Sequence, residues 1–115
     1  MGALPDFVKA IALNNKVDES HELATLIQRA MIERLRVSNK TVKDLGVKQA
    51  PFVVLIGASM PSVLAEISFI TNTKEARFLK GSASRQRIAE ALFNGIRKYQ
   101  TSLKNVATVA EHPSL

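Results

Sequence analysis

The chain has 115 residues, of which 46% are hydrophobic, 23% charged and 5% aromatic. These values fit one globular domain of modest size and exclude a disordered or collagen-like chain. The longest apolar stretch, at 50–70, is interrupted by glycine, proline and polar residues, so it falls short of the ~20 apolar residues that a membrane span needs. The sequence therefore predicts a chain without a membrane span.

The formal net charge is +6, from 16 Lys and Arg against 10 Asp and Glu. Such a balance favours anionic partners, among them nucleic acid, membrane surfaces and acidic wall polymers. The basic residues are scattered from Lys9 to Lys104, with one Tyr, five Phe and no Trp in the chain. We therefore expect a solvated basic surface and no nucleic-acid partner.

The chain contains no cysteine, which excludes disulfides, thiolate metal sites and a cysteine nucleophile. This composition is compatible with a reducing or an oxidising compartment. The first ten residues lack the basic and apolar regions of a signal peptide, so no export signal is expected there.

The N-terminal part of the sequence predicts helices. Apolar spacing favours a short helix or turn over Leu4–Leu13, interrupted by Asn14 and Asn15. A longer amphipathic helix is predicted over 19–36, with acidic residues at its start and basic residues at its end, as the helix dipole prefers. The polar segment 37–49 indicates a loop.

Two apolar segments in the middle of the chain predict β-strands. Phe52–Ile56 is a continuous apolar run, typical of a strand that is covered on both faces. Residues 57–61 turn the chain, and 63–70 shows the alternation of a second strand. We therefore predict an α/β fold, with helices packed on a sheet of at least two strands near 52–56 and 63–70.

The C-terminal part predicts two further helices. Asn72 and Glu75 form a capping pair for a short helix that ends before the following glycine. A final helix begins near Ser84 and carries an apolar stripe as far as Tyr99. The remaining sequence has little pattern and predicts a flexible tail over 101–115.

Glu66 is the one charged residue between Lys48 and Lys74. A carboxylate inside a buried strand is costly unless it is paired, hydrogen-bonded, metal-bound or protonated. Glu66 lies toward the C-terminal end of its predicted strand, where ligand sites of open α/β sheets are found, and Ser68 projects to the same side. It is therefore a candidate general base. An ion pair with Arg77, or a strand edge open to water, would also account for the pattern.

Other patterns that carry chemistry are weak. His21 is expected on the exposed first turn of a helix and His112 in the tail, so no pair has metal-ligand spacing. No glycine-rich phosphate loop is present, and the serines lack a His and Asp partner set. Met31 lies on the apolar stripe of the predicted helix and is assigned to the core.

One segment resembles the C-terminal signature of a known enzyme family. Residues 45–79 read LGVKQAPFVVLIGASMPSVLAEISFITNTKEARFL. They are similar to the GVK-x-A-x-F-x-VL strand and the MP-x-VL-x-E-x-x-F-x-x-N motif of the zinc-dependent N-acetylmuramoyl-L-alanine amidases of the amidase-3 family. The flanking segments 19–31 and 85–99 resemble the family's ES-x-x-LA-x-x-IQ helix and its closing helix. We therefore predict that residues 1–100 form the C-terminal part of an amidase-3 catalytic domain.

The resemblance implies a reaction and a catalytic residue. The glutamate of the MP-x-VL-x-E motif is catalytic in the family, and it falls on Glu66. It would activate a zinc-bound water that attacks the amide between the muramic acid lactyl group and L-alanine in peptidoglycan, then pass the proton to the leaving amine. The implied partner is peptidoglycan, and the implied location is the bacterial cell envelope, periplasmic or secreted.

The sequence departs from the family pattern in its metal ligands. The family binds zinc through two histidines and a glutamate on the N-terminal half of its domain, and these motifs are not in this sequence; His21 does not match a ligand position. Ala65 replaces the usual valine, and Ser68 stands where glycine is common. We therefore expect the isolated chain to lack a zinc site, to be inactive, and to self-associate through an unpaired strand edge. The alternative is a non-catalytic basic module that binds cell-wall polymer or a partner protein.

Overall fold

The computed structural model describes residues 4–68 and 71–111, and the side chains of 16–68 and 71–106. The elements are α1 (Leu4–Arg36), a 3-10 helix (Val53–Leu55), α2 (Thr73–Lys80) and α3 (Ser82–Glu111). No β-strand is present in these residues. None of the described helices combines the length and the apolar character of a membrane-spanning helix.

The predicted α/β fold is therefore wrong for the described chain. In the segment 52–56, the amides of Leu55 and Ile56 donate to carbonyls three residues earlier, at 3.0 and 3.1 Å, so the chain turns where a strand was predicted. The second predicted strand is irregular over 63–68, and its last two residues lie outside the described part. A strand needs a neighbour to accept its backbone hydrogen bonds. No described segment supplies one, and the apolar run closes a local turn instead.

Helix α2 begins and ends where the sequence predicts. The side chain of Asn72 accepts hydrogen bonds from the backbone amides of Lys74 (3.0 Å) and Glu75 (3.2 Å), which are free at a helix start. The helix ends at Lys80, directly before the predicted glycine. Helix α3 begins at Ser82, within two residues of its predicted start.

Helix α1 is longer than predicted. It runs without a break through Asn14 and Asn15, where the sequence pattern indicated an interruption. An asparagine in a helix costs at most about 0.7 kcal/mol relative to alanine. Two of them do not end a helix that has good helix formers on both sides.

Helix α3 continues past Gln100 to Glu111, and residues 112–115 lie outside the described part of the chain. The division into a domain over 1–100 and a flexible tail over 101–115 stays a prediction.

Helices α1 and α3 form an antiparallel pair that contains the core. Their backbones come closest at Ile27 and Gly95, where a Cβ on residue 95 would lie 2.6 Å from the Cα of Ile27. Glycine at this position allows the close approach. The buried hydrophobic residues all lie on the two helices: Ile27, Ala30, Ile32, Ile88, Ala91 and Tyr99.

Ion pairs join the two helices at the rim of this core. Arg34 donates to one oxygen of Glu90 from Nη2 at 3.0 Å and from Nε at 3.3 Å. Lys98 on α3 lies 3.6 Å from a carboxylate oxygen of Glu33. The hydrogen bond from Arg34, with a further one from Gln86, lowers the pKa of the Glu90 carboxyl.

Much apolar surface is not covered by the described chain. Val53, Val54 and Ile56 are 84%, 75% and 68% exposed, and Phe93 and Ile96 form a second, exposed apolar face on α3. The radius of gyration is 17.8 Å, against about 13 Å for a compact domain of this length. The chain is thus a packed helix pair that carries an apolar segment without a layer to cover it.

The close approach at residue 95 makes a specific prediction for stability. Gly95→Ala gains about 1 kcal/mol of helix propensity, but its Cβ meets the backbone of Ile27, which has no rotamer that relieves the clash. We expect a net loss of about 1–3 kcal/mol in the free energy of unfolding, measured by chemical denaturation followed by circular dichroism. Asn94→Ala, at an exposed neighbouring position, is the matched control and should not destabilise the chain. A Gly95→Ala variant more stable than wild type would contradict this packing.

The Arg34–Glu90 pair predicts a pH dependence. Because folding lowers the pKa of Glu90, its contribution to stability is complete above the ordinary value of 4.5 and is lost as the pH falls through the lower, folded-state pKa. Glu90→Gln should therefore lose less stability than wild type on acidification below pH 4.5. In an Arg34→Gln background most of this difference should disappear. Equal acid profiles for wild type and Glu90→Gln would contradict the pairing.

Candidate functional site

Glu66 lies on the irregular segment 61–68, and its side chain is exposed. The prediction that Glu66 lies shielded on a strand is therefore wrong for the described chain. Val63 and Ile67, on either side of it, are half-buried, whereas 64–66 are exposed, so the segment rests against the protein on both sides of an exposed stretch. We call residues 61–68 the Glu66 segment.

A hydrogen bond ties the start of the Glu66 segment to α1. The backbone amide of Ser62 donates to the hydroxyl oxygen of Ser20 at 2.9 Å. Among the described residues, no backbone hydrogen bond joins 63–68 to another segment. The sequence analysis did not single out Ser20. The available signal was its place in the ES pair of the quoted helix motif.

The alternative explanation of Glu66 as one half of an ion pair is not met in the described chain. The described residues include the ion pairs Lys16–Glu19, Arg34–Glu90 and Lys98–Glu33. Neither Glu66 nor Arg77 takes part in them. Glu66 is open to water, but on an irregular segment and not at the edge of a strand.

The described residues do not fit a zinc ion. They contain no group of three or more His, Asp or Glu side chains close enough to hold a metal, whereas a catalytic zinc takes three protein ligands. His21 is exposed on α1 as predicted, and it lines a groove of about 410 Å³ with Gln28 and Asp44. His112 lies outside the described part of the chain.

That groove is closed on one side by the loop after α1. Asp44 accepts hydrogen bonds from the side chain of Gln28 and from the backbone amide of Gly46, both at 2.8 Å. These bonds lower the pKa of the Asp44 carboxyl. Gly46 has φ of +79°, a conformation in which other residues are strained. The sequence signal for this turn is an aspartate, Asp44, two residues before a glycine. The polar composition of 37–49 predicted a loop but not this turn.

A second groove, of about 480 Å³, lies between α1 and α3 and contains Arg34, Arg97 and Lys98. These cations are already engaged: two pair with carboxylates of the opposing helix, and Arg97 stacks over the ring of Phe93, 5.8 Å from its centroid. Neither groove is lined by Glu66. The candidate catalytic residue therefore lies outside both of these grooves.

Comparison with known proteins decides the family. The model of the amidase-3 family, the N-acetylmuramoyl-L-alanine amidases, matches residues 7–98. The chain belongs to the amidase-3 family. The match extends from α1 through the Glu66 segment to α3, and it confirms the resemblance seen in the motifs.

Three relatives show how far the similarity extends. The uncharacterized protein YqiI of Bacillus subtilis is 39% identical over 82 residues, which is 71% of this chain and 37% of YqiI. The N-acetylmuramoyl-L-alanine amidase AmiA of Salmonella typhimurium is 58% identical over 52 residues, 45% of this chain and 18% of AmiA. The N-acetylmuramoyl-L-alanine amidase AmiC of Escherichia coli is 39% identical over 71 residues, 62% of this chain and 17% of AmiC.

The chain thus spans between 17% and 37% of the length of these relatives. No solved structure matches it. The longer relatives therefore contain residues outside the aligned part.

The arrangement of possible ligand residues predicts whether this chain binds zinc. Isothermal titration with zinc should show no tight, stoichiometric site, because the described residues do not bring three ligands together. His21→Ala should leave the titration unchanged. One equivalent of zinc bound by the wild type and lost in His21→Ala would show that His21 is a ligand.

Proposed function

We propose that this chain supplies the catalytic carboxylate, Glu66, to the active site of a peptidoglycan amidase. The observation that carries the proposal is the family match over residues 7–98, which contains the MP-x-VL-x-E motif with Glu66 at its end. The reaction is hydrolysis of the amide between the lactyl carbonyl of muramic acid and the nitrogen of L-alanine.

In this reaction Glu66 acts as the general base and then as the general acid. Its carboxylate takes a proton from the attacking water, which makes the oxygen a better nucleophile toward the lactyl carbonyl. The proton then passes to the alanine nitrogen as the carbon–nitrogen bond breaks, so that a neutral amine leaves. A positioned group of this kind contributes typically about 10²–10⁴-fold in rate.

The zinc that the resemblance implies does not fit the described residues of this chain. Its ligands would have to come from other residues of a family domain. The proposal for this chain is therefore limited to Glu66 and to the segment that carries it, and the isolated chain is expected to be inactive.

The uncovered apolar surface supports a site that is completed by a further layer. Val53 and Val54 on the predicted strand, and Phe93 on α3, are each more than half exposed. Burial of such side chains contributes about 1.5–3 kcal/mol each. Further residues that cover 52–56 and 63–68 would also provide hydrogen-bond partners for the backbone groups there and would shield Glu66 from water.

The proposed place of action is the bacterial cell wall. A relative from Bacillus anthracis, 38% identical over 86 residues, is described as a cell wall amidase. The net charge of +6 suits a chain that works against an anionic wall polymer. Periplasmic or secreted location follows from the substrate.

The test is to join this chain to the preceding part of the AmiC domain of Escherichia coli and to measure release of free alanine amino groups from purified peptidoglycan. The fusion should be active, and Glu66→Gln should reduce kcat by about 10²-fold or more, because the amide side chain does not transfer the proton. Glu33→Gln, an exposed carboxylate on α1, is the matched control and should retain activity.

An active Glu66→Gln fusion would contradict the proposal. A fusion that is folded and inactive, together with wild-type chain that sediments with peptidoglycan, would favour the alternative of a non-catalytic module that binds wall polymer.

A further inference from the structure

We infer that Ser20 is a positioning residue for Glu66, whose hydroxyl fixes the start of the Glu66 segment on α1. The inference rests on the proposed catalytic role of Glu66. It concerns how the 115-residue chain by itself positions the Glu66 carboxylate.

The contact is unusual for a hydroxyl inside a helix. Such hydroxyls commonly bond to the carbonyl four residues earlier, and Thr25 of the same helix does so, with its hydroxyl 2.8 Å from the carbonyl of His21. The oxygen of Ser20 instead accepts a hydrogen bond from the amide of Ser62, 42 residues further along the chain, at 2.9 Å. It joins two segments that are distant in sequence.

Ser20 lies on a part of α1 that contacts α3. Tyr99 of α3 is buried and lies close enough to Glu19 and Glu22 of α1 to interact with them electrostatically. The hydroxyl of Ser102 lies 3.5 Å from a carboxylate oxygen of Glu22. Ser20 therefore lies on the packed helix pair, so the Glu66 segment is bonded to a helix and not to another loop.

The distance along the chain limits where Glu66 can lie. Glu66 follows Ser62 by four residues, which span at most about 14 Å when fully extended. Pro61, directly before the anchor, has a fixed φ and reduces the freedom of the incoming chain. With Ser62 held on Ser20, Glu66 stays within that distance of the middle of α1. Without the bond, no other backbone hydrogen bond of the described residues 63–68 restrains it.

The experiment uses the 115-residue chain itself and measures amide hydrogen exchange by nuclear magnetic resonance. Ser20→Ala should speed exchange of the Ser62 amide about fivefold, the effect of losing one hydrogen bond. Ser20→Thr keeps the hydroxyl and should restore the slow exchange. Ser102→Ala removes a hydroxyl at the same end of the helix pair and should leave the Ser62 amide unchanged.

A second measurement reports the position of residue 66. The chain has no cysteine, so Glu66→Cys and Gln100→Cys provide two sites for spin labels and a distance distribution by pulsed electron resonance. The distribution should be broader with Ser20→Ala than with wild-type Ser20 or with Ser20→Thr.

Unchanged Ser62 exchange, or an equally narrow distribution, in Ser20→Ala would overturn the inference. An equal rise in exchange across the α1 and α3 amides would also overturn it, because the substitution would then act on the whole fold. Neither readout requires catalysis, so a failure here is distinguishable from an active Glu66→Gln fusion, which would overturn the proposed function.

Discussion

The backbones of α1 and α3 meet at Ile27 and Gly95, and the other contacts between these two helices depend on that approach. A Cβ at residue 95 would lie 2.6 Å from the Cα of Ile27, so the helices reach this separation only with glycine there. The contact sets the Arg34–Glu90 pair on one side of it and the Tyr99 end on the other. Ser20, and through it the Glu66 segment, takes its place from the same pair.

One part of the chain makes its own backbone hydrogen bonds and buries its apolar residues, and another part does not. A helix makes its backbone hydrogen bonds internally, and α1 and α3 bury their apolar stripes against each other. The segments 52–56 and 63–68 have the residues of strands, but a strand takes its hydrogen bonds from a neighbour. Without one, Val53 and Ile56 stay in water and Glu66 is exposed. The longer relatives contain residues that lie outside the part aligned with this chain.

Sequence reasoning succeeds here where the signal is local. The Asn72 cap and the end of α2 follow from a few adjacent residues, and the motif around Glu66 identifies the family. It fails on the strands, because a β-rich run shows which environment its side chains suit and not whether a partner strand exists. Glu66, which the sequence places on such a strand, is exposed on an irregular segment. The close approach had a readable signal in Gly95, since a glycine inside a helix costs about 1 kcal/mol and calls for a packing reason.

We propose that this chain is the Glu66-bearing part of an amidase domain, and that other residues of that domain cover its apolar segments. Hydrogen exchange of residues 52–56 and 63–67, followed by mass spectrometry, tests it most directly in the chain alone and in the chain joined to the preceding part of a family domain. We expect fast exchange in the chain alone and strong protection of both segments in the joined protein. Strong protection in the chain alone, or fast exchange in both forms, would contradict it.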